Sequence, residues 1–348
     1  MVQSTLLKRF CYVCLAGLFS SSAQAVENLN YLKPVPAIKT QKAAQYLLTD
    51  VDVIDKSVVV VGDRGHILVS QDNGASWTQA DVPVQQLLTA VYFPSPQKGW
   101  AVGHEGVVLH SADGGNTWQL QFTNPYRNLS NDELDQLSDE EFTKLPQKGS
   151  PLLDVWFKDE STGFAVGAYG MFYGTTDGGK TWQDVSDRID NYDGWHLNSI
   201  QANANGVVYI AGEKGVLFRS MDFGESWETL DAPYEGSFFN VLIGENPNDV
   251  FIFGLQGNTF KSTDMGDTWQ KVDSDTTDGL MGGVVLGKNK VMLVGNSGVI
   301  ATSLNAGKRF KSKSTKQRKA LLAVDRLPNG QLILVGQGGV RIESTELN

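Results

Sequence analysis

The sequence predicts an all-β fold, a seven-bladed β-propeller, and three observations carry that reading. The phrase S/T-x-D-x-G-x-S/T-W recurs at residues 70–77, 111–118, 175–182, 220–227 and 262–269. An eroded copy occupies 303–310 and a further one starts at Ser344. A Gly-x-x-Gly pair begins at Gly62, Gly103, Gly167, Gly212, Gly254, Gly295 and Gly336, in steps of 41, 64, 45, 42, 41 and 41. Each pair follows an apolar run of strand length, such as 99–103. Self-similarity at about 40–45 residues with several short strands per unit is the signature of propeller blades.

Each unit parses alike. An apolar first strand (87–93 and 152–157 are clear cases) leads to a second that ends at Gly-x-x-Gly. A third strand follows, then the repeated phrase, whose Trp opens a fourth. First strands show little alternation, as expected of strands buried near a propeller axis. Residues 29–38 belong to no unit and are expected to supply the missing fourth strand of the last blade, closing the ring. The prolines there suit an outer edge strand.

Residues 1–25 read as a cleaved secretory signal. Lys8 and Arg9 precede an apolar run, and Ala23-Gln-Ala25 is a small-residue cleavage site, with cleavage after Ala25. Both cysteines, Cys11 and Cys14, fall in that segment, so the mature chain has no thiol chemistry. A periplasmic location is expected, with residues 26–348 forming one domain. The net charge is −10, and −12 without the first 25 residues. That acidity argues against nucleic acid as the partner.

The repeated side chains read as scaffold. Ser, Thr and Asp bond backbone amides within short turns, and a Trp buries a large apolar face between neighbouring blades. Asp72, Asp113, Asp177, Asp222 and Asp264 are therefore assigned as structural, because every blade needs what every blade carries. Neither metal ligation nor any other cofactor is expected: His66, His104, His110 and His196 lack ligand spacing. No nucleophile elbow is present, and no catalytic residue is assigned.

Candidates for binding lie elsewhere. In a four-stranded blade the second–third loops and the blade-to-blade crossings share one face, and the repeated phrase turns on the other. The variable pairs inside Gly-x-x-Gly should therefore ring one mouth of the central channel. The binding set expected there is Arg64, His104, Glu105, Tyr169, Glu213, Lys214, Gln256 and Asn296, with Trp195 from a crossing. Trp195, Phe238 and Met281 are expected to form an apolar patch beside it. An insertion of about 124–149, with an acidic stretch from Ser130 to Phe142, separates blades two and three. A basic run comprises Lys308, Arg309, Lys311, Lys313, Lys316, Arg318 and Lys319. It suits an acidic partner segment or peripheral contact with anionic lipid, or else lysines guarding an edge strand.

The repeated phrase resembles the Asp-box, or bacterial neuraminidase (BNR) repeat. Together with the seven-fold count and Gly99-Trp-Ala-Val-Gly103, it makes the chain resemble the photosystem II stability/assembly factor family, from about residue 47 onward. That resemblance implies a non-enzymatic lumenal or periplasmic helper that docks on nascent subunits of a membrane protein complex through an arginine-rich patch. Here the arginines are scattered and the net charge is negative, so an envelope complex other than the photosynthetic one is the expected client. The alternative is a carbohydrate-binding or sialidase-like propeller; the Arg-Ile-Pro entry motif of sialidases is absent from the sequence.

Overall fold

The computed structural model describes residues 35–124, 136–138, 149–287 and 289–344. Residues 1–34, and with them the expected signal, and nearly all of the 124–149 insertion lie outside this set. Seven antiparallel sheets follow one another along the chain, strands in sequence order within each. Blade one is Leu48–Ile54, Ser57–Gly62, Ile67–Ser70 and Thr78–Gln79. Blades two to seven begin with inner strands Leu88–Tyr92, Leu152–Phe157, Leu197–Ala202, Phe238–Ile243, Leu280–Gly287 and Leu321–Arg326. Each inner strand packs beside the next, and the first meets the last, which closes a ring around a central channel. Among the described residues no helix is long and apolar enough to cross a membrane.

Second strands such as Gly99–Gly103, Gly163–Gly167 and Val250–Gly254 are fully buried, as are third strands such as Ile67–Ser70 and Phe172–Thr175. Inner strands are buried only in part, and Leu280–Gly287 alone among them alternates regularly. The expected burial of inner strands is thus corrected: an inner strand has one side on the channel, whereas a second strand is sandwiched between neighbouring sheets.

A register shift follows the first residue of the inner strands, as between Leu48 and Asp50, Leu88 and Ala90, or Phe238 and Asn240. A bulge of this kind frees one residue from pairing and re-aims its side chain. The freed side chains lace the blades together. Thr49 Oγ1 donates to Leu88 O at 2.7 Å and Thr89 Oγ1 to Leu152 O at 2.7 Å. Asn198 Nδ2 donates to Phe238 O at 2.7 Å.

The repeated phrase builds one staple in each of blades one to six. Asp113 Oδ1 accepts from Ser111 Oγ and Thr117 N, both at 2.9 Å, and Oδ2 accepts from Thr117 Oγ1 at 2.7 Å. Trp118 Nε1 donates to Gly115 O at 2.8 Å, which fixes the indole flat against the turn. Hydrogen bonds to the charged carboxylate, from Ser76 and Thr268 first of all, hold Asp72 and Asp264 down at about 2. Each phrase aromatic wedges against the preceding blade. Trp118 packs among blades one and two, Trp182 among two and three, and Trp227 among three and four. Trp269 and Phe310 serve the next two seams, and Trp77 the seam between blades seven and one.

Residues 29–34 of the segment expected to close the ring lie outside the described residues. The last sheet has three strands among the described residues. Of residues 29–38, the described part runs along blade one instead of blade seven: Ala37 N donates to Val82 O at 2.9 Å, and Gln85 Nε2 to Pro36 O at 2.9 Å. Apolar packing closes the seam between the last blade and the first, with Leu48, Val58 and Val60 against Leu327, Ile333 and Val335. Backbone carbonyls finish it, Val340 N donating to Ala44 O at 2.9 Å.

Candidate functional site

Every Gly-x-x-Gly from blade one to blade six makes a single 3-10 turn with its third residue left-handed: Arg64, Glu105, Tyr169, Lys214, Gln256 and Ser297, at φ of 54–66°. The closing glycine is required by space as well as by backbone. A Cβ on Gly65 (φ +69°) would sit 2.0 Å from Val84 O, in the crossing to blade two. Second–third loops and crossings therefore share one face. The repeated phrases turn on the other, tied to the first–second hairpins: Gly114 N donates to Gln97 O and Gly178 N to Ser161 O.

Four of the expected binding residues come together, bridged by a histidine. Tyr169 meets the His196 ring edge-on, centroids 4.9 Å apart. His196 Nδ1 lies 3.9 Å from Glu213 Oε2, and Lys214 Nζ sits 5.8 Å over the Trp195 ring. Asn191 orders the crossing, accepting from Trp195 N at 3.1 Å and donating to Trp195 O at 2.9 Å. Tyr169 is 45% exposed and Tyr192, in the same crossing, 98%. Blades three and four thus present exposed aromatic rings beside one acid and one base. Such a surface suits an extended chain, which it would hold by stacking and by charge.

The rest of the expected set is distributed round the same face. Arg64 lies 3.4 Å from Asp63 and 5.7 Å over the Tyr46 ring, which stacks on His66. Glu105 O accepts from Asn124 N, at the root of the insertion, and His104 N donates to Leu87 O. Gln256 and Asn296 are exposed on blades five and six. The expected apolar patch needs correction at Phe238, which is fully buried between blades four and five. The bulge turns Phe239, its neighbour, outward instead.

The basic run does not lie wholly on this face. Lys311–Ser314 is the outer strand of blade six, and Lys308 and Arg309 belong to the turn on the opposite face. Only the end at 316–319 enters the crossing side.

Sequence reading missed Tyr192, and also a cluster of channel carboxylates. Asp50 and Asp52 of blade one, Asp154 of blade three and Asp325 of blade seven accept main-chain N–H groups from the next blade. The donors are Val91 (2.9 Å), Phe93 (2.6 Å), Ile200 (2.9 Å) and Val53 (3.2 Å). Enclosure by the surrounding strands pushes Asp50 up to about 7, and Asp154 and Asp325 up to about 6. Asp52 goes well above its ordinary value, by enclosure and then by the charge of Asp325. Burial and Asp52 raise Tyr92 to about 12. The signal was in the sequence: acids alternate with valines at residues 50–53, on a strand expected to be apolar.

Comparison with known proteins agrees with the architecture. The family profile described as photosynthesis system II assembly factor YCF48 matches residues 75–141 and 135–237. The photosystem II assembly lipoprotein Ycf48 of Synechococcus sp. (strain CC9902) is 29% identical over 199 residues, covering 56% of this chain and 51% of that protein. The chain thus matches about half the length of that relative. A solved structure described as YCF48 bound to D1 peptide superposes with a TM-score of 0.66 at 18% identity, over 86% of this chain and 93% of that one. A GH74 enzyme from Niastella koreensis reaches 0.63 at 13% identity, over 85% of this chain and 52% of that one. At those identities the two structures speak for the fold alone. In its repeats, its seven blades and the profile match, the chain is similar to the photosystem II stability/assembly factor family.

Proposed function

We propose that this protein is a non-catalytic scaffold that assists assembly or stability of a membrane protein complex by docking a segment of one of its subunits. The observation that carries this is the cluster of Tyr169, Trp195, His196, Glu213 and Lys214 on the channel-mouth face. It offers stacking and charge without a pair of carboxylates placed for glycoside hydrolysis. Similarity to that family supports an assembly role, and a YCF48 relative is known with a D1 peptide bound. We place the work in the periplasm, after cleavage behind Ala25.

The test is capture of tagged protein from detergent-solubilised envelopes, read by quantitative mass spectrometry. One membrane complex should be enriched, and Tyr169→Ala with Trp195→Ala should lose it while the melting temperature is kept. Enrichment that survives both changes would contradict the reading. Loss of binding to glycans, with no envelope protein enriched, would instead favour a carbohydrate-binding propeller built on the same two rings.

A further inference from the structure

Two crossings frame the aromatic cluster on blades three and four, and both are acidic. Residues 189–196 carry Asp190 and Asp193, and residues 230–237 carry Asp231 and Glu235; neither stretch holds a lysine or an arginine. These four acids are exposed, and among the described residues none of them makes an ion pair. The backbone sets them close to the rings. A Cβ on Gly170 would meet Gly194 Cα at 3.3 Å, so Asp193 and Gly194 lie against the loop that carries Tyr169. A Cβ on Gly215 would meet Glu235 Cα at 3.4 Å, so Glu235 lies against the loop that carries Glu213 and Lys214. Tyr192, almost fully exposed between Asp190 and Asp193, offers a further ring face.

An acidic rim alone names no ligand, but an ammonium seated on a ring inside it does. Lys214 Nζ stands 5.8 Å from the centre of the Trp195 ring, within the range at which an indole face attracts a cation. This ammonium sits on a flexible four-carbon stem and on an exposed residue, so it can swing off the ring. Exposed carboxylates without partners draw further cations to the same place.

We propose that the segment docked here is basic: an extended stretch of a partner subunit that lays a lysine or arginine on the Trp195 ring, where Lys214 sits in the free protein. Neighbouring cations of that stretch meet Asp193, Glu213 and Glu235. Lys214 is then a built-in competitor of the incoming side chain. An acidic segment would gain one contact, from Lys214, and be repelled by the carboxylates on both crossings. The inference rests on the docking role proposed above and adds to it the charge of the docked chain.

The probe is a fluorescein-labelled peptide, Gly-Lys-Ser-Arg-Thr-Lys-Gly-Lys, titrated with the full mature protein by fluorescence anisotropy. Its charge-inverted counterpart, Gly-Glu-Ser-Asp-Thr-Glu-Gly-Glu, is titrated alongside. The basic peptide should bind saturably and the acidic one should not. Trp195→Ala should weaken binding about five- to tenfold, and Asp193→Asn with Glu235→Gln at least about threefold. Lys214→Met should strengthen it at least about threefold, by clearing the ring and removing a like charge. Asp193, Lys214 and Glu235 are exposed and Trp195 is half-buried, and melting curves check that the variants fold. Weaker binding after Lys214→Met would overturn the inference, since the lysine would then be a contact and not a competitor. So would ring-dependent binding of the acidic peptide, which leaves the docking role intact and reverses its charge. Binding of the basic peptide that ignores Trp195→Ala would reduce it to general attraction by a chain of net −10. No saturable binding of either peptide up to about 1 mM protein also overturns it, and envelope capture then judges the docking role separately. Trp195-dependent sedimentation with phosphatidylethanolamine vesicles, with no peptide bound, would assign the ring to a lipid ammonium instead.

Discussion

At the scale of single residues, Asp113 shows why a repeated acid need not be a catalyst. Its two oxygens are taken by Ser111, by the Thr117 amide and by the Thr117 hydroxyl, and the turn closes around them. The oxygens that would serve chemistry are spent on the backbone of their own turn. Replacement by Ala leaves the Thr117 amide without its acceptor, as at a lost helix cap. Asp113→Ala should lower stability by about 1–2 kcal/mol, seen as a lower urea midpoint at unchanged slope. Asn305 in the eroded copy already lacks one arm: it accepts from Ser303 Oγ and Arg309 N, and position 309 has no hydroxyl to donate. These roles were legible because the phrase is repeated. A residue needed by every blade announces itself by period. The channel acids were not legible in that way, since only three of the seven blades carry them: Asp50 and Asp154 share one inner-strand position, and Asp52 and Asp325 another. What they share is the next blade's amides, a relation that appears only once the ring is closed.

At the scale of the element, the blade is held by its inner bulge and by the aromatic of its turn. Thr89 is freed by the bulge and donates to Val102 O within its own blade and to Leu152 O in the next. Thr89→Val keeps the shape and removes the one hydroxyl proton that the two carbonyls share, the shorter contact being to Leu152 O. It should cost about 1–3 kcal/mol, while Trp118→Ala, which empties a seam, should cost about 3–5 kcal/mol. Equal losses from the two changes, measured by urea denaturation, would contradict this ranking. Strand positions followed from the sequence because glycines and phrases punctuate every hairpin. The fate of residues 35–38 did not. An edge strand has few side-chain demands, and the choice between blade seven and blade one rested on contacts such as Gln79 Nε2 to Ile38 O and Lys39 with Asp81. Phe238 and Phe239 make the same point. Neighbours in sequence, they are told apart by a one-residue shift in register.

At the scale of the whole molecule, two sets of carboxylates pull stability in opposite directions with pH. Asp50, Asp52, Asp154 and Asp325 lie on inner strands near enough to feel one another's charge, with Tyr92 in the field of Asp52. Their folded pKa values lie above the ordinary 3.8. Such groups hold a proton more tightly when folded, so their contribution is full below about 4 and is lost as pH rises through about 6 to 7. Asp72 and Asp264 are depressed to about 2. Theirs is full above about 4 and lost as pH falls towards 2. Stability should therefore peak between about pH 4 and 5, and Asp50→Asn with Asp52→Asn should flatten the limb above the peak. A urea midpoint flat from pH 4 to 7 in the unmodified protein would contradict this picture.

The ring also sorts the surface into faces with different work. Hairpins and phrase turns staple one side, while the left-handed loops and crossings gather Tyr169, Trp195, His196 and Lys214 on the other. The most direct test places a photo-crosslinking amino acid at Lys214, and in a separate strain at Lys56, which is exposed in a hairpin on the opposite face. After illumination of living cells, crosslinks to a membrane protein subunit should form from position 214 and not from position 56. Crosslinks from both positions alike, or from neither, would contradict docking on the channel-mouth face.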